Sequence, residues 1–331
     1  MKIGILFNQP AAPGHRNWKA SVDVLFQVEA IDAALQSLRH HTFRQPIGRD
    51  PGRALAALKR EAADAVFNLC ETIDEDATLS WHAAALLELL QIPFTGSPSS
   101  ALMLTADKVL AKRLLSTEGI LTPKHLVFRD GTDFDPDRLR FPVIVKPQFE
   151  DASIGIDQES IFETPHQLMR GIAAFNRRFG PVLVEEYIAG REFNISLLGY
   201  PVPAVMPLAE IDFSDFPNTL YPIVGYGAKW DPSSIEFQNT PRLFSDRIPS
   251  HLISALEHVA RCCFSLFGLR DYGRVDVRVD AQNRIYVLEV NANPCLSPDA
   301  GLAAAFQQSG KDYRTLVSEL TSFVIERNSH D

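Results

Sequence analysis

Residues 274–280 (RVDVRVD) and 285–291 (IYVLEVN) each alternate polar and apolar side chains, with Asp280-Ala-Gln-Asn283 between them. A period of two is the mark of a half-buried strand, and the turn residues make the pair a β-hairpin. With Gln282-Asn283 as a two-residue turn, Asp276 faces Glu289 and Arg274 faces Asn291. Carboxylates directly opposite one another repel, so a cation belongs between them. Two cations are open. One is a divalent ion, because Asp, Glu and Asn oxygens without His or Cys suit Mg²⁺. The other is the chain's own Arg274 and Arg278 on a solvated face. The next residues, NANPCLSPD, run from the strand into a proline-broken loop, where active-site loops commonly start, and this favours the ion.

Upstream, strands alternate with helices, which predicts an α/β fold containing a parallel sheet. Strand Lys2–Phe7 leads to a helix over 22–38, a second strand Ala65–Leu69 to a helix ending near Leu90, and 92–95 forms a short third strand. Gly96-Ser-Pro-Ser-Ser100 marks a boundary, and Thr105 caps a helix running to Gly119. Residues 141–187 and 191–205 read as sheet. Residues 211–245 are proline-bearing and aperiodic, which predicts a long functional loop. A helix from about Pro249 to Phe267 precedes the hairpin, and another closes the chain. Three domains result, 1–100, 101–188 and 189–331.

Composition narrows the function classes. A chain of 331 residues, 46% hydrophobic, buries a large core. A net charge of −9 without a basic cluster argues against a nucleic-acid partner. No apolar run approaches membrane-spanning length, and Met1–Phe7 is too short for a signal-peptide core. Cys70, Cys262, Cys263 and Cys295 show neither zinc spacing nor a disulfide framework, so a reduced cytoplasmic enzyme is expected. No GxGxxG follows the first strand, which excludes a nicotinamide-dependent dehydrogenase of the usual kind.

Two stretches are suited to a nucleotide. In Phe141-Pro-Val-Ile-Val-Lys146-Pro a lysine interrupts an apolar strand beside the small-residue loop 150–156, whose amides can approach an anion closely. Lysine in a strand also serves as an edge guard. Val182-Leu-Val-Glu185-Glu-Tyr-Ile-Ala-Gly-Arg-Glu192 ends an apolar strand in carboxylates that either accept from a nucleoside or are merely solvated.

Taken in order, VFNL, IPFTGS, Asp107-Lys108, FPVIVKP, VLVEEYIAGREF, YGAKW and RVDVRVD…LEVNANP resemble the ATP-grasp superfamily, and within it the D-alanine–D-alanine ligase family, from about residue 65 onward. The resemblance implies an ATP-grasp fold with the nucleotide between two sheet-containing domains, following an N-terminal parallel α/β domain. It implies ATP with Mg²⁺, or Mn²⁺ in its place. Lys108 and Lys146 would contact the phosphates beneath a lid carrying Ser153. Glu185, the backbones of Glu186 and Ile188, and Glu192 would hold the nucleoside. Lys229, on a mobile loop over 211–235, would reach the γ-phosphate. Asp276, Glu289 and Asn291 would bind the metal and Arg274 would stabilise the transition state. The implied reaction joins a small-molecule carboxylate to an amine through an acyl phosphate. A genuine D-alanine–D-alanine ligase and a non-catalytic nucleotide-binding regulator stand as alternatives, and monomer and homodimer stay open.

Departures from the family pattern cluster on the substrate side. The family's double-glycine loop reads Asn8-Gln-Pro-Ala-Ala-Pro-Gly14 here, with no identifiable ammonium-binding glutamate. Ala152 and Trp230 replace a serine and a tyrosine whose hydroxyls partner that glutamate. Cys70 followed by Glu71 replaces a histidine and glycine. Cys295 stands at the oxyanion-hole glycine, Ala300 at a substrate-binding serine, and Asp299 beside it. Rebuilt amino-acid pockets on a retained ATP site are the expectation.

Overall fold

The computed structural model describes residues 1–12, 14, 18–129 and 134–328. Three sheets organise it. β1 (Lys2–Asn8), α1 (Trp18–Ser37), β2 (His41–Ile47), α2 (Pro51–Glu61) and β3 (Ala65–Leu69) build a parallel sheet of order β2-β1-β3. β1 and β3 are almost wholly buried, which is why both stand out as apolar runs. β2 and α2 were not anticipated, so Ala65–Leu69 is the third strand. β2 (HTFRQPI) lies at the sheet edge, mostly exposed or half-buried, and carries a proline, features that hide a strand from pattern reading. The short strand expected over 92–95 reduces to one parallel bridge, Phe94 to Val66.

α3 (Trp81–Leu89) and α4 (Ser99–Ala106) lead to α5 (Lys108–Thr117). The expected cap at Thr105 is displaced. Thr105 Oγ1 donates to the Ala101 carbonyl within α4, and Asp107 caps α5 by accepting from the Val109 and Leu110 amides. The short α4–α5 break puts Lys108 at the first turn of α5.

The central sheet, order β4-β7-β5-β6, is antiparallel and comprises β4 (His125–Phe128), β5 (Val143–Pro147), β6 (Ile161–Phe162) and β7 (Val182–Glu186). Between β6 and β7 lies α6 (Pro165–Phe179), unforeseen within a stretch read as sheet and started by a Thr164 cap followed by proline. Its Leu168 and Ile172 join Val143, Val145, Val182 and Val184 in a separate core.

The third sheet runs β11-β10-β8-β12-β13, with β9 on β8. Its strands are β8 (Arg191–Leu198), β9 (Ala204–Val205), β10 (Ala209–Ile211), β11 (Arg242–Leu243), β12 (Tyr272–Val279) and β13 (Ile285–Asn291). α7 (Tyr226–Trp230), α8 (Ile235–Gln238) and β11 occupy the stretch expected to be loop. α9 (Ser250–Leu266) backs the sheet, and α10 (Gly301–Gln308) and α11 (Tyr313–Asn328) end the chain. Leu316 and Leu320 of α11 share a core with Ile3, Ile5 and Leu35, and the last helix packs against α1. No described helix is long and apolar enough to cross a membrane.

The β12–β13 hairpin pairs Arg274 with Asn291 and Asp276 with Glu289, as the alternation predicts. The route differs. The loop is three residues, 281–283, with Asn283 at φ 59° and Asp280 bonded to Arg284, and a bulge after Asp276 restores the expected register.

Candidate functional site

Alternation on β12 puts Arg274, Asp276 and Arg278 on one face, opposite Ser196, Asn194 and Glu192 of β8. Arg274 donates to both Asp276 oxygens, at 2.7 and 2.8 Å, and Asn194 Nδ2 donates to Oδ1 at 2.8 Å. Burial disfavours the Arg274 charge, but Asp276 and Glu289 more than offset it and raise the pKa. Arg278 grips Glu192 Oε2 from Nε and Nη2, at 3.0 and 2.8 Å, and donates to the Ile188 carbonyl at 2.8 Å. The arginine pairing weighed from the sequence therefore exists, but inside a cavity wall. Burial pushes the Glu289 carboxyl up; Asp151 adds to this, and Lys108 and Lys229 oppose it. Asn291 Oδ1 accepts from the Asn293 amide at 2.9 Å.

The candidate site residues named from the sequence line one cavity of about 910 Å³ between the central sheet, the hairpin, the N-terminal loops and 223–242. That volume suits a small-molecule site. Lys108 Nζ donates to the Glu150 carbonyl and lies 3.2 Å from Asp151 Oδ1. Lys146 and Glu185 lie diagonally across β5–β7, with Nζ 2.8 Å from Oε2. Lys112, one turn beyond Lys108, approaches Oε1 to 2.9 Å and bonds Thr122 Oγ1 at 2.7 Å. Burial pushes Glu185 upward, yet the two lysines overcome it and hold its carboxyl down at about 2. Both Glu185 oxygens are thus engaged by lysine, a clamp the motif alone does not reveal. Glu186 accepts the Arg140 amide, at 3.0 Å.

Between β5 and β6 the chain turns sharply, with Ala152, Ser153 and Gly155 at φ 54°, 60° and 76°. A Cβ on Gly155 would lie 2.7 Å from Phe179 and 2.9 Å from Pro147, so only glycine fits there. Ser153 Oγ donates to the Val224 carbonyl at 2.8 Å, and Gln158 pairs with Tyr221, which seats the 211–235 segment over this turn. Trp230 Nε1 donates to the Ala152 carbonyl at 2.9 Å. The two positions whose family hydroxyls are lost here are thus joined directly to each other, indole N–H to backbone carbonyl. Lys229 opens into the cavity with no carboxylate within 4 Å among the described residues. The surrounding protein and the Arg274 charge lower its pKa, against Glu289, Asp276 and Asp151.

On the remaining wall, Cys70 is buried with its thiol donating to the Thr72 carbonyl at 3.2 Å, and burial pushes it up to about 12. Cys295 lies 2.7 Å from Ser297 Oγ and 3.5 Å from Asp23, and burial together with Glu71 and Asp23 raises it. Neither thiol is poised as a nucleophile. Glu71 opens to the cavity and accepts from Gln27 Nε2 at 3.0 Å. Enclosing protein, with Asp23 and Asp151, pushes it up to about 7, against Gln27 and Lys229. Asp299 and Ala300 border the start of α10. Pro13, in the 8–14 loop, lies outside the described residues.

Four further residues come to this site. Lys112 is visible in the sequence as the fourth residue after Lys108 on one helix face, and Arg278 as the second residue after Asp276 on one strand face. Asp23 and Arg242 carry no local signal, since a charge in α1 and one after Pro241 read as solvated.

The family described as "D-ala D-ala ligase C-terminus" matches residues 114–322. An uncharacterised protein of Sinorhizobium fredii is 32% identical over 299 residues, covering 88% of this chain and 84% of its own. A D-alanine–D-alanine ligase of Chromohalobacter salexigens is 33% identical over 269 residues, 80% of this chain and 79% of that one. The crystal structure of a Bacillus anthracis D-alanine–D-alanine ligase complexed with ATP superposes with a TM-score of 0.79 at 19% identity, covering 100% of this chain and 99% of that chain.

Proposed function

Because the chain belongs to the D-alanine–D-alanine ligase family and is an ATP-dependent carboxylate–amine ligase, we propose that it joins two amino-acid-like substrates, with Mg²⁺ as its ion and D-alanine disfavoured. The observation that supports this reading is one cavity lined by Lys108, Lys146, Lys229 and Arg274 together with Asp276, Glu289 and Asn291. Two carboxylates and a carboxamide on one hairpin face fit Mg²⁺. Bound there, the ion would neutralise phosphate charge.

The lysines supply charge where phosphate oxygens would lie, and Lys229, with no carboxylate within 4 Å among the described residues, is available to a γ-phosphoryl group. A donor carboxylate oxygen attacks the γ-phosphorus, the bond to the bridging oxygen breaks, and ADP leaves. The amine nitrogen then attacks the acyl carbon, that carbon's bond to the phosphate oxygen breaks, and phosphate departs as nitrogen gives up its proton. Arg274 is placed to stabilise the oxyanion, and the 211–235 segment, seated on the 152–158 turn, to exclude water from the acyl phosphate. A non-catalytic regulator has no use for this assembly.

Disfavoured D-alanine is supported by the opposite wall, where Cys70 is committed to Thr72 and Trp230 to Ala152, and Asp23, Glu71 and Asp299 carry the polarity. Cytoplasmic residence fits four cysteines without a disulfide. Phosphate release from ATP, screened against L-, D- and non-proteinogenic amino acids singly and in pairs, tests the proposal. With D-alanine alone, kcat/KM should lie about 100-fold below the best pair, roughly one or two unpaired polar contacts. Efficient D-alanyl-D-alanine formation would refute it.

A further inference from the structure

Among the described cavity-lining cations, Arg242 and Arg278 have no task in the proposed chemistry, and of the two only Arg278 has a carboxylate partner, Glu192. Arg242 stands on β11, where its backbone pairs with Ile211, so a strand rather than a free loop aims the side chain. Its guanidinium is poorly satisfied. Nε is buried with no partner, Nη1 reaches only the Asp299 carbonyl at 3.4 Å, and no carboxylate lies within 4 Å among the described residues. A neighbouring arginine, Arg274, adds like charge, and Asp299 compensates only from beyond ion-pair distance. Leaving the buried Nε so is costly unless an acceptor completes it.

The start of α10 faces the same place. Ala300, its cap, brings no side-chain hydrogen bond, so the cap residue itself puts no oxygen on the positive end of the helix. Arg242 Nη2 lies 3.7 Å from where a Cβ on Gly301 would be. Arg242, Arg274, Ala300 and Gly301 all line the cavity. Guanidinium and helix terminus together favour a planar, bidentate anion, for which carboxylate is the fit.

We propose that Arg242 anchors the α-carboxylate of the amine-bearing substrate, making that acceptor an α-amino acid and Arg242 a residue that sets specificity. The inference rests on the ligase reading above. The donor's carboxylate is consumed in the reaction and must sit at the phosphoryl group, whereas the acceptor's is unreactive and needs a standing counter-charge. Arg242 provides this at the edge of the sheet, away from Lys108 and Lys146 on the central domain.

The test uses the full chain with ATP, Mg²⁺ and the donor amino acid giving the fastest phosphate release. Three acceptors are compared: a free α-amino acid, its α-carboxamide, and hydroxylamine. Hydroxylamine has no carboxylate; its nitrogen bonds to the acyl carbon, phosphate leaves, and a hydroxamate reports acyl phosphate formation. Wild type should prefer the free acid over the carboxamide by about 100-fold in kcat/KM, as befits a charge-assisted bond. Arg242→Ala should bring the free acid down to the carboxamide's rate and leave hydroxamate formation unchanged, which also shows that the variant is folded. Arg242→Lys should fall between. Equal wild-type rates with acid and carboxamide, retained discrimination in Arg242→Ala, or a parallel loss with all three acceptors would each overturn the assignment. Wild type that forms no hydroxamate with any donor would instead bring down the ligase reading and the inference with it.

Discussion

Replacing Glu185 by glutamine keeps its shape and removes the charge that two lysines surround. Lys112 is 2% exposed in its side chain and Lys146 12%, so neither recovers much hydration when the carboxylate goes. Lys112 keeps its bond to Thr122; Lys146 keeps at most a neutral amide oxygen. The Glu185 carboxyl is held from 4.5 down to about 2, which at 1.36 kcal/mol per unit corresponds to about 3 kcal/mol. Breaking a buried pair by deleting one partner costs about 3–5 kcal/mol by analogy, in agreement. The two ends of the cluster pull in opposite directions, because burial lowers Lys112. With one anion between two cations, the anion's shift is the better guide. The sign follows from the depression: the contribution is present above pH 4.5 and is lost as pH falls through about 2. His125 on β4 and Lys108 also face this cluster, so variant and wild type are compared at each pH. Urea unfolding at pH 7 should show Glu185→Gln less stable by about 3 kcal/mol, with the gap closing between pH 4.5 and 2. A loss below about 1 kcal/mol, the level of an exposed pair, or a gap independent of pH, would refute the reasoning.

Lys229→Met should lower kcat about 10²–10³-fold, as for loss of one electrostatic donor, with the unfolding midpoint unchanged because its side chain is exposed; normal turnover would remove it from the chemistry. Asp276→Asn and Glu289→Gln should each abolish phosphate release in protein whose circular dichroism matches wild type, and near-normal turnover in both would reject them as metal ligands. Trp230→Phe deletes the indole donor to Ala152 and should speed proteolytic cleavage within 211–235, while ATP-Mg²⁺ with substrate suppresses cleavage of wild type; identical cleavage in all conditions would contradict a closing lid. Cys70 and Cys295 should resist iodoacetamide in the folded protein at pH 7.5, since burial favours the thiol in both, and rapid alkylation would show otherwise.

Local periodicity was enough to place β1, β3, the hairpin and α9, because their alternation or apolar content is a property of consecutive residues. The shared face of Arg274, Asp276 and Arg278 followed from the same period of two, and the ordered motifs carried the family. β2 is hidden as a proline-bearing edge strand, whereas α2 and α6 are strongly amphipathic and start at Asp50-Pro51 and Thr164-Pro165, signals the sequence does carry and the strand-rich reading passed over. The clamp of Lys112 and Lys146 on Glu185, the indole bond that joins positions 152 and 230, and the guanidinium of Arg242 beside α10 bring together residues 39 to 78 positions apart. Sequence determined which charges exist and which face of each element they occupy. Only the packing of three sheets decided which charges meet, because desolvation and distance, which set the worth of every ion pair here, are properties of neighbours in space.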